Sequence, residues 1–187
     1  MKKLCLVFCC VLFACNVWAI EIAGVKPATE VQLGTQLLKL NGAGVRTKFF
    51  FKVYVAALYL PQKQKSAEAI IAGDHQYRIA LHMLRDLSSE KLFKAFNDAI
   101  EANHSAAELG AMGAEIKQMA GIFDAAKQVK EGDAITLDYL PGIGTQISIN
   151  GTLRGTIGGI EFNRAILRIW LGRNPAQEDL KEGMLGD

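Results

Sequence analysis

Cysteine is missing from most of this chain. All four cysteines, Cys5, Cys9, Cys10 and Cys15, fall in the first nineteen residues. The remainder therefore has no disulfide framework, no thiol nucleophile and no thiolate metal site. A dominant charge is missing too. Lys2 and Lys3 account for two of the 21 Lys and Arg, which leaves 19 against 19 Asp and Glu. That balance gives no ground to expect nucleic acid or an acidic membrane surface as partner. After residue 19 no apolar run approaches the ~20 residues that span a bilayer as a helix. The three histidines, His75, His82 and His104, stand apart without carboxylates at ligand spacing, so no metal is expected. There is no Gly-x-Ser-x-Gly, and Gly142-Ile143-Gly144 is followed by no helix that would make it a nucleotide loop. Repeats, linkers and low-complexity tracts are also lacking, which leaves one domain as the expectation.

What is present begins with an export signal. Lys2 and Lys3 precede eleven apolar residues, Leu4 to Ala14, and Val17 and Ala19 sit at the −3 and −1 positions of a small-residue cleavage site. Residues 1–19 are expected to be removed and residues 20–187 to form the domain, periplasmic or secreted. Leu12-Phe13-Ala14-Cys15 resembles a lipoprotein box, so lipid anchoring through Cys15 is the minor alternative. Asn103-His104-Ser105 and Asn150-Gly151-Thr152 match glycosylation acceptors, but the signal has a bacterial layout and the second lies in a hairpin turn, so neither carries weight.

The rest of the chain divides by periodicity. Short strands are expected over Ile20–Val25 and Thr35–Leu40. Asn41-Gly42-Ala43-Gly44 has the composition of a turn. Val45 to Leu60 is the densest β-forming run and is expected as one long strand, bent or bulged, ended by Pro61. A short helix follows, capped by Ser66, then a strand over Gln76–Leu84. A helix capped by Ser88 or Ser89 runs to Ala102, and a glycine-weakened helical region in two pieces covers Ala106–Lys127. Strands Ala134–Tyr139, Thr145–Ile149 and Thr152–Ile157 form a meander closed by Asn150-Gly151. Helices at Ile160–Leu171 and Ala176–Met184 complete the chain. This order predicts an α+β fold with a mainly antiparallel sheet and helices on one face.

Two polar residues stand out in the long apolar run, Arg46 and Tyr54. An arginine at the mouth of an aromatic sheet face is costly unless something pairs with it. A ligand carboxylate suits a guanidinium, with a tyrosine hydroxyl as a further donor. A structural salt bridge to a protein carboxylate, with Tyr54 packed in the core, explains the same residues. Asp138 beside Tyr139 is expected to be a solvated carboxylate next to a packed ring.

The motifs GAGVR and KVYVAALYL, then LRDLSSEKLFKAFNDAI, then AILRIWLGRNPAQEDLKEGMLG resemble, in that order, the chalcone isomerase family over Leu37 to Gly186. The resemblance is strongest to its bacterial exported chalcone isomerase-like members. It implies an open-faced β-sandwich with a ligand cleft between sheet and helices. It places the family's anion-facing arginine on Arg46 and its strand threonine on Tyr54. Its helix tyrosine and asparagine fall on Leu92 and Ala99, and its late Ser or Thr on Ile169. Three aliphatic side chains cannot polarise an enone, so isomerase or lyase chemistry built on Arg46 becomes the alternative. The family's fatty-acid-binding branch pairs an arginine with a tyrosine on the ligand carboxylate. The resemblance therefore implies a non-catalytic binder of a fatty acid or similar small apolar carboxylate, with Arg46, Tyr54, Leu92, Ala99 and Ile169 at the site and no cofactor. One condition attaches. In a straight strand the eight steps from Arg46 to Tyr54 span roughly 26 Å, so convergence requires a tight turn within Thr47–Phe51, which contains no usual turn residue. A ligand-free structural or interaction protein remains a third reading. The export expectation is checked by intact mass: the exported chain should begin at Ile20, whereas a lipidated Cys15 at the N-terminus would contradict it.

Overall fold

The computed structural model describes residues 20–187, so the segment expected to be a signal, including Cys15, lies outside the described residues. Seven antiparallel strands form one curled sheet. In sheet order these are β1 (Glu30–Leu33), β2 (Gln36–Lys48), β3 (Phe51–Leu60), β4 (Tyr77–Met83), β7 (Ala134–Leu140), β8 (Gly144–Ile149) and β9 (Thr152–Ile157). A two-residue pair, β5 (Leu87–Ser88) with β6 (Gln128–Val129), flanks the helices. The helices are α1 (Ala67–Ala72), α2 (Ser89–Glu101), α3 (Ala106–Ala111), α4 (Gly113–Ala126), α5 (Ile160–Leu171) and α6 (Glu178–Leu185).

The helices pack on one sheet face around a single large apolar cluster. It joins Tyr54, Leu58, Ile79 and Leu137 of the sheet to Leu92, Phe96, Met119, Phe162, Ile166, Ile169 and Leu180 of the helices. A smaller cluster of Leu33, Leu38, Leu40, Ala57, Tyr59 and Ala80 lies on the other face. The alternation of β3 explains the division: Leu58 goes to one side and Ala57 and Tyr59 to the other. The N-terminal caps follow the local chemistry. Ser66 accepts from Ala69 N at 3.1 Å, and Ser105 and Glu108 form a reciprocal capping box. Gly110 and Gly113 flank the break between α3 and α4, as the two-piece expectation required.

Four expectations are corrected. Ile20–Val25 is a tight turn with one isolated bridge, Ile22 to Val25, rather than a strand. Asn41-Gly42-Ala43-Gly44 is the middle of β2, not a turn. Its glycines serve a close approach: a Cβ on Gly42 would lie 2.8 Å from Gly186 N and Met184 O, and one on Gly44 3.0 Å from Leu180 Cδ1. The backbone of α6 rests directly on β2, and Asn41 Nδ2 adds a hydrogen bond to Met184 O at 2.9 Å. Val45–Leu60 is not one strand but the end of β2, a two-residue loop at Phe49–Phe50, and β3. Finally, Asp138 is not solvated. It is 5% exposed and accepts two hydrogen bonds from Arg78, from Nε and Nη2, both at 2.6 Å.

The α6–β2 contact gives a paired test. Gly42→Ala drives a methyl into backbone that cannot rotate away, and should cost at least about 2 kcal/mol in urea unfolding. Gly121→Ala, within α4 and with open space at its Cβ, should instead stabilise by about 0.5–1 kcal/mol. Equal effects at the two positions would refute the close-approach account.

Candidate ligand site

The hairpin turn that the sequence conceals is what brings the two polar residues together. Arg46 and Tyr54 are direct cross-strand partners in the β2–β3 ladder. Their Cα atoms are therefore about 5 Å apart, not the ~26 Å of a straight run. Opposed residues of an antiparallel pair share a face, and Tyr54 belongs to the helix-side core. Arg46 thus stands on the same side, half-buried at the rim of that core. A register shift between Arg46 and Thr47 accompanies this, and such bulges re-aim side chains.

Gln177, just before α6, holds the rim in place. Its Oε1 accepts from Thr47 N at 2.8 Å and from Arg46 Nη1 at 3.2 Å, and its Nε2 donates to Val45 O at 3.3 Å. Arg46 Nη1 also donates to Thr47 O at 2.9 Å. No Asp or Glu pairs with Arg46 among the described residues, so the structural salt bridge is not the arrangement found. A guanidinium has five N–H donors, and the contacts to Thr47 and Gln177 both use Nη1.

Tyr54 lies one layer deeper. Its hydroxyl accepts from Trp170 Nε1 at 3.1 Å, near the end of α5. Burial raises its pKa above the usual phenol value, partly offset by the indole hydrogen bond and the positive charge of Arg46. The phenol stays protonated, and its own proton meets no acceptor among the described residues. Arg46 and Tyr54 therefore present guanidinium N–H groups and one O–H from adjacent strands, with no protein carboxylate to receive them.

Leu92 at the start of α2 and Ile169 on α5 are buried in the same apolar cluster as Tyr54, and Ala99 on α2 packs against it half-buried. Leu92 and Ala99 lie two helical turns apart on one face. Phe93, Phe96 and Phe123 belong to the same cluster, with ring centroids 5.8 to 6.1 Å apart; Phe93 and Phe96 stack, and Phe123 is tilted against both. The structure does not bring these residues around an open cleft. A cleft of about 660 Å³ lies between α1, α3, α5 and the α5–α6 loop, lined by Arg164, Arg168, Arg173 and Lys181 among others, and contains none of the five. Part of its charge serves helix ends, since Lys181 Nζ donates to Gly172 O at the end of α5. A second cleft of about 350 Å³ lies between α4 and β9 and also excludes them.

Sequence reasoning missed Gln177 and Trp170. Trp170 carried the only available signal, an indole on the packed face of α5 whose N–H needs an acceptor when buried. Gln177 carried none, because its role depends on where α6 docks.

An antiparallel sheet covered on one face by helices, with an arginine–tyrosine pair at the rim of the layer between, defines an open-faced α+β sandwich. The chain belongs to the chalcone isomerase-like family, whose model matches residues 19–186. No curated protein sequence matches it. Among solved structures it is similar to the crystal structure of a fatty-acid binding protein from Arabidopsis thaliana, at 18% identity and a TM-score of 0.67. That likeness covers 87% of this chain and 92% of the other. At this identity it establishes the shared fold.

The buried indole–phenol contact is directly testable. Tyr54→Phe leaves the Trp170 N–H without an acceptor and should destabilise by about 1–3 kcal/mol. Urea unfolding measures this, and an unchanged midpoint would show that the hydrogen bond contributes nothing.

Proposed function

We propose that the protein binds a fatty acid or a similar small apolar carboxylate between its sheet and its helices, without transforming it. Arg46 holds the carboxylate with its unused guanidinium donors, and the Tyr54 hydroxyl gives a further hydrogen bond. Leu92, Ala99 and Ile169 line the path of the tail. The observation that carries this reading is the half-buried Arg46, paired across the ladder with Tyr54 and lacking a carboxylate partner among the described residues. The family's fold and the fatty-acid binding protein that shares it support the same ligand class.

Room for the tail comes from the helical layer rather than from the sheet. Met112 and Met119 belong to the same apolar cluster as Phe93, Phe96 and Phe123, and methionine repacks readily around an apolar guest. Parting α2 and α4 from the sheet opens the apolar cluster that holds Leu92 and Ile169. An isomerase reaction on the same scaffold would need polar groups facing the electrophile, and Leu92, Ala99 and Ile169 supply none. Export with removal of residues 1–19 would place this binding in the periplasm or outside the cell.

The test is a titration of purified protein with fatty acids of graded chain length, read by native mass spectrometry and by Trp170 emission. Tail insertion beside Tyr54 should shift the Trp170 signal. A hydrogen bond to a charged group contributes about 1.5–3 kcal/mol, so Arg46→Gln should weaken binding roughly 10- to 100-fold. Absence of binding at every chain length, or equal affinity in Arg46→Gln, would sink the proposal.

A further inference from the structure

The tip of the β2–β3 hairpin is not buried against the rest of the described residues. Phe49, Phe50 and Phe51 are 84%, 96% and 60% exposed. The tip also projects beyond the sheet. β4 pairs with β3 up to Tyr54, with one more hydrogen bond from Leu84 N to Val53 O, and the β1 side ends at a bond from Leu40 N to Thr29 O, so Thr47–Lys52 and Lys48–Phe51 pair with each other and with no third strand. Phe49 has a φ of 57° at the first position of a two-residue loop, a place that glycine usually takes. The segment thus combines an unfavourable backbone conformation at Phe49 with near-full exposure of Phe49 and Phe50.

Cations lie closest to the rings, while the nearby Asp86 is turned to Glu131 N, which it accepts from at 2.8 Å. Lys48 and Lys52 flank the three rings and are exposed. The Arg85 guanidinium lies 4.8 Å from the centroid of the Phe51 ring. None of these three cations has a salt-bridge partner among the described residues. The chain's balanced total charge hides this local collar.

We propose that this tip inserts into a lipid bilayer surface carrying anionic head groups. The phenyl rings of Phe49, Phe50 and Phe51 enter the boundary between head groups and acyl chains, while Lys48, Lys52 and Arg85 remain at the head-group level. The shape selects this occupant over a protein partner. An aromatic side chain presents ~150–250 Å², so three partly exposed rings offer on the order of 400–500 Å², against the ~800 Å² per side of a stable protein interface. The patch is a convex point with a cationic collar, not a groove or a flat face. The inference stands independently of the ligand proposal. Its consequence for that proposal is positional: Arg46 lies three residues before Phe49, so docking would put the candidate anchor beside the lipid surface.

The experiment is flotation of the chain from Ile20 to Asp187, without the apolar segment 1–19, with vesicles of phosphatidylcholine alone and of phosphatidylcholine with phosphatidylglycerol. Phe49→Gly combined with Phe50→Ser alters only exposed side chains and suits the backbone at position 49, so its unfolding midpoint should not fall. It should lose at least about tenfold in binding to the mixed vesicles. Lys48→Gln with Lys52→Gln should lose about 30-fold on the mixed vesicles and little on phosphatidylcholine alone. Phe50→Trp should gain quenching by brominated lipids beyond that of the wild type, which locates the tip itself within the bilayer. Three results would each overturn the inference. One is equal flotation of wild type and the phenylalanine variant, and another is no added quenching in Phe50→Trp. The third is a self-association of the wild type that the phenylalanine variant abolishes while vesicle binding is unchanged.

Discussion

The backbone of α6 lies on the backbone of β2, and only glycine permits this. With side chains at Gly42 and Gly44 the helix would stand off by the width of a methyl group or more. That stand-off would move Gln177, which leads into α6, away from Thr47 and Arg46. It would also shift Leu180 and Met184, which close the core from that side. Interiors are packed densely enough that such a displacement cannot be absorbed locally. The rim of the site is thus set by a contact between two main chains, one of them at the far end of the sequence.

The same hairpin carries two features with different physical demands. Arg46 and Tyr54 need a position where a charge is partly desolvated and hydrogen bonds gain strength. The Phe49–Phe51 tip needs the opposite, an unpartnered projection beyond the last ladder pairs. The hairpin supplies both, because its neighbour stops short: the last hydrogen bond from the β4 side goes from Leu84 N to Val53 O. Depth along the hairpin separates a buried phenol, a half-buried guanidinium and exposed rings within nine residues, Arg46 to Tyr54.

Much of the architecture was legible wherever a local chemical signal coincided with periodicity. A serine cap at Ser88 or Ser89 with the apolar face of α2, the Asn150-Gly151 hairpin and the bounds of α5 all follow from neighbouring residues alone, and the structure selects Ser88. The errors share a cause. Gly42 and Gly44 have the composition of a turn, yet their lack of a side chain serves a helix some 140 residues away, which no window of sequence contains. Phe49 and Phe50 form a turn without turn residues, so the hairpin was hidden inside an apparently continuous strand. Asp138 has the pattern of an exposed strand carboxylate, and its burial depends on Arg78 in the neighbouring strand. At the site, Arg46 and Tyr54 could be singled out as polar residues in an apolar run. Their pairing could not, and neither could Gln177 or Trp170, because each depends on tertiary docking.

The central claim is that Arg46 and Tyr54 together hold a carboxylate at the edge of the apolar layer. The most direct measurement is carbon-13 NMR of a carboxyl-labelled fatty acid with the protein, followed through an acid titration. A carboxylate held by a guanidinium and a phenol O–H stays ionised below the pH at which a free one protonates. The account predicts a bound resonance, distinct from free ligand, whose midpoint is depressed and returns toward the ordinary value in Arg46→Gln. A bound resonance that titrates as it does in solution, unaffected by Arg46→Gln, would contradict it.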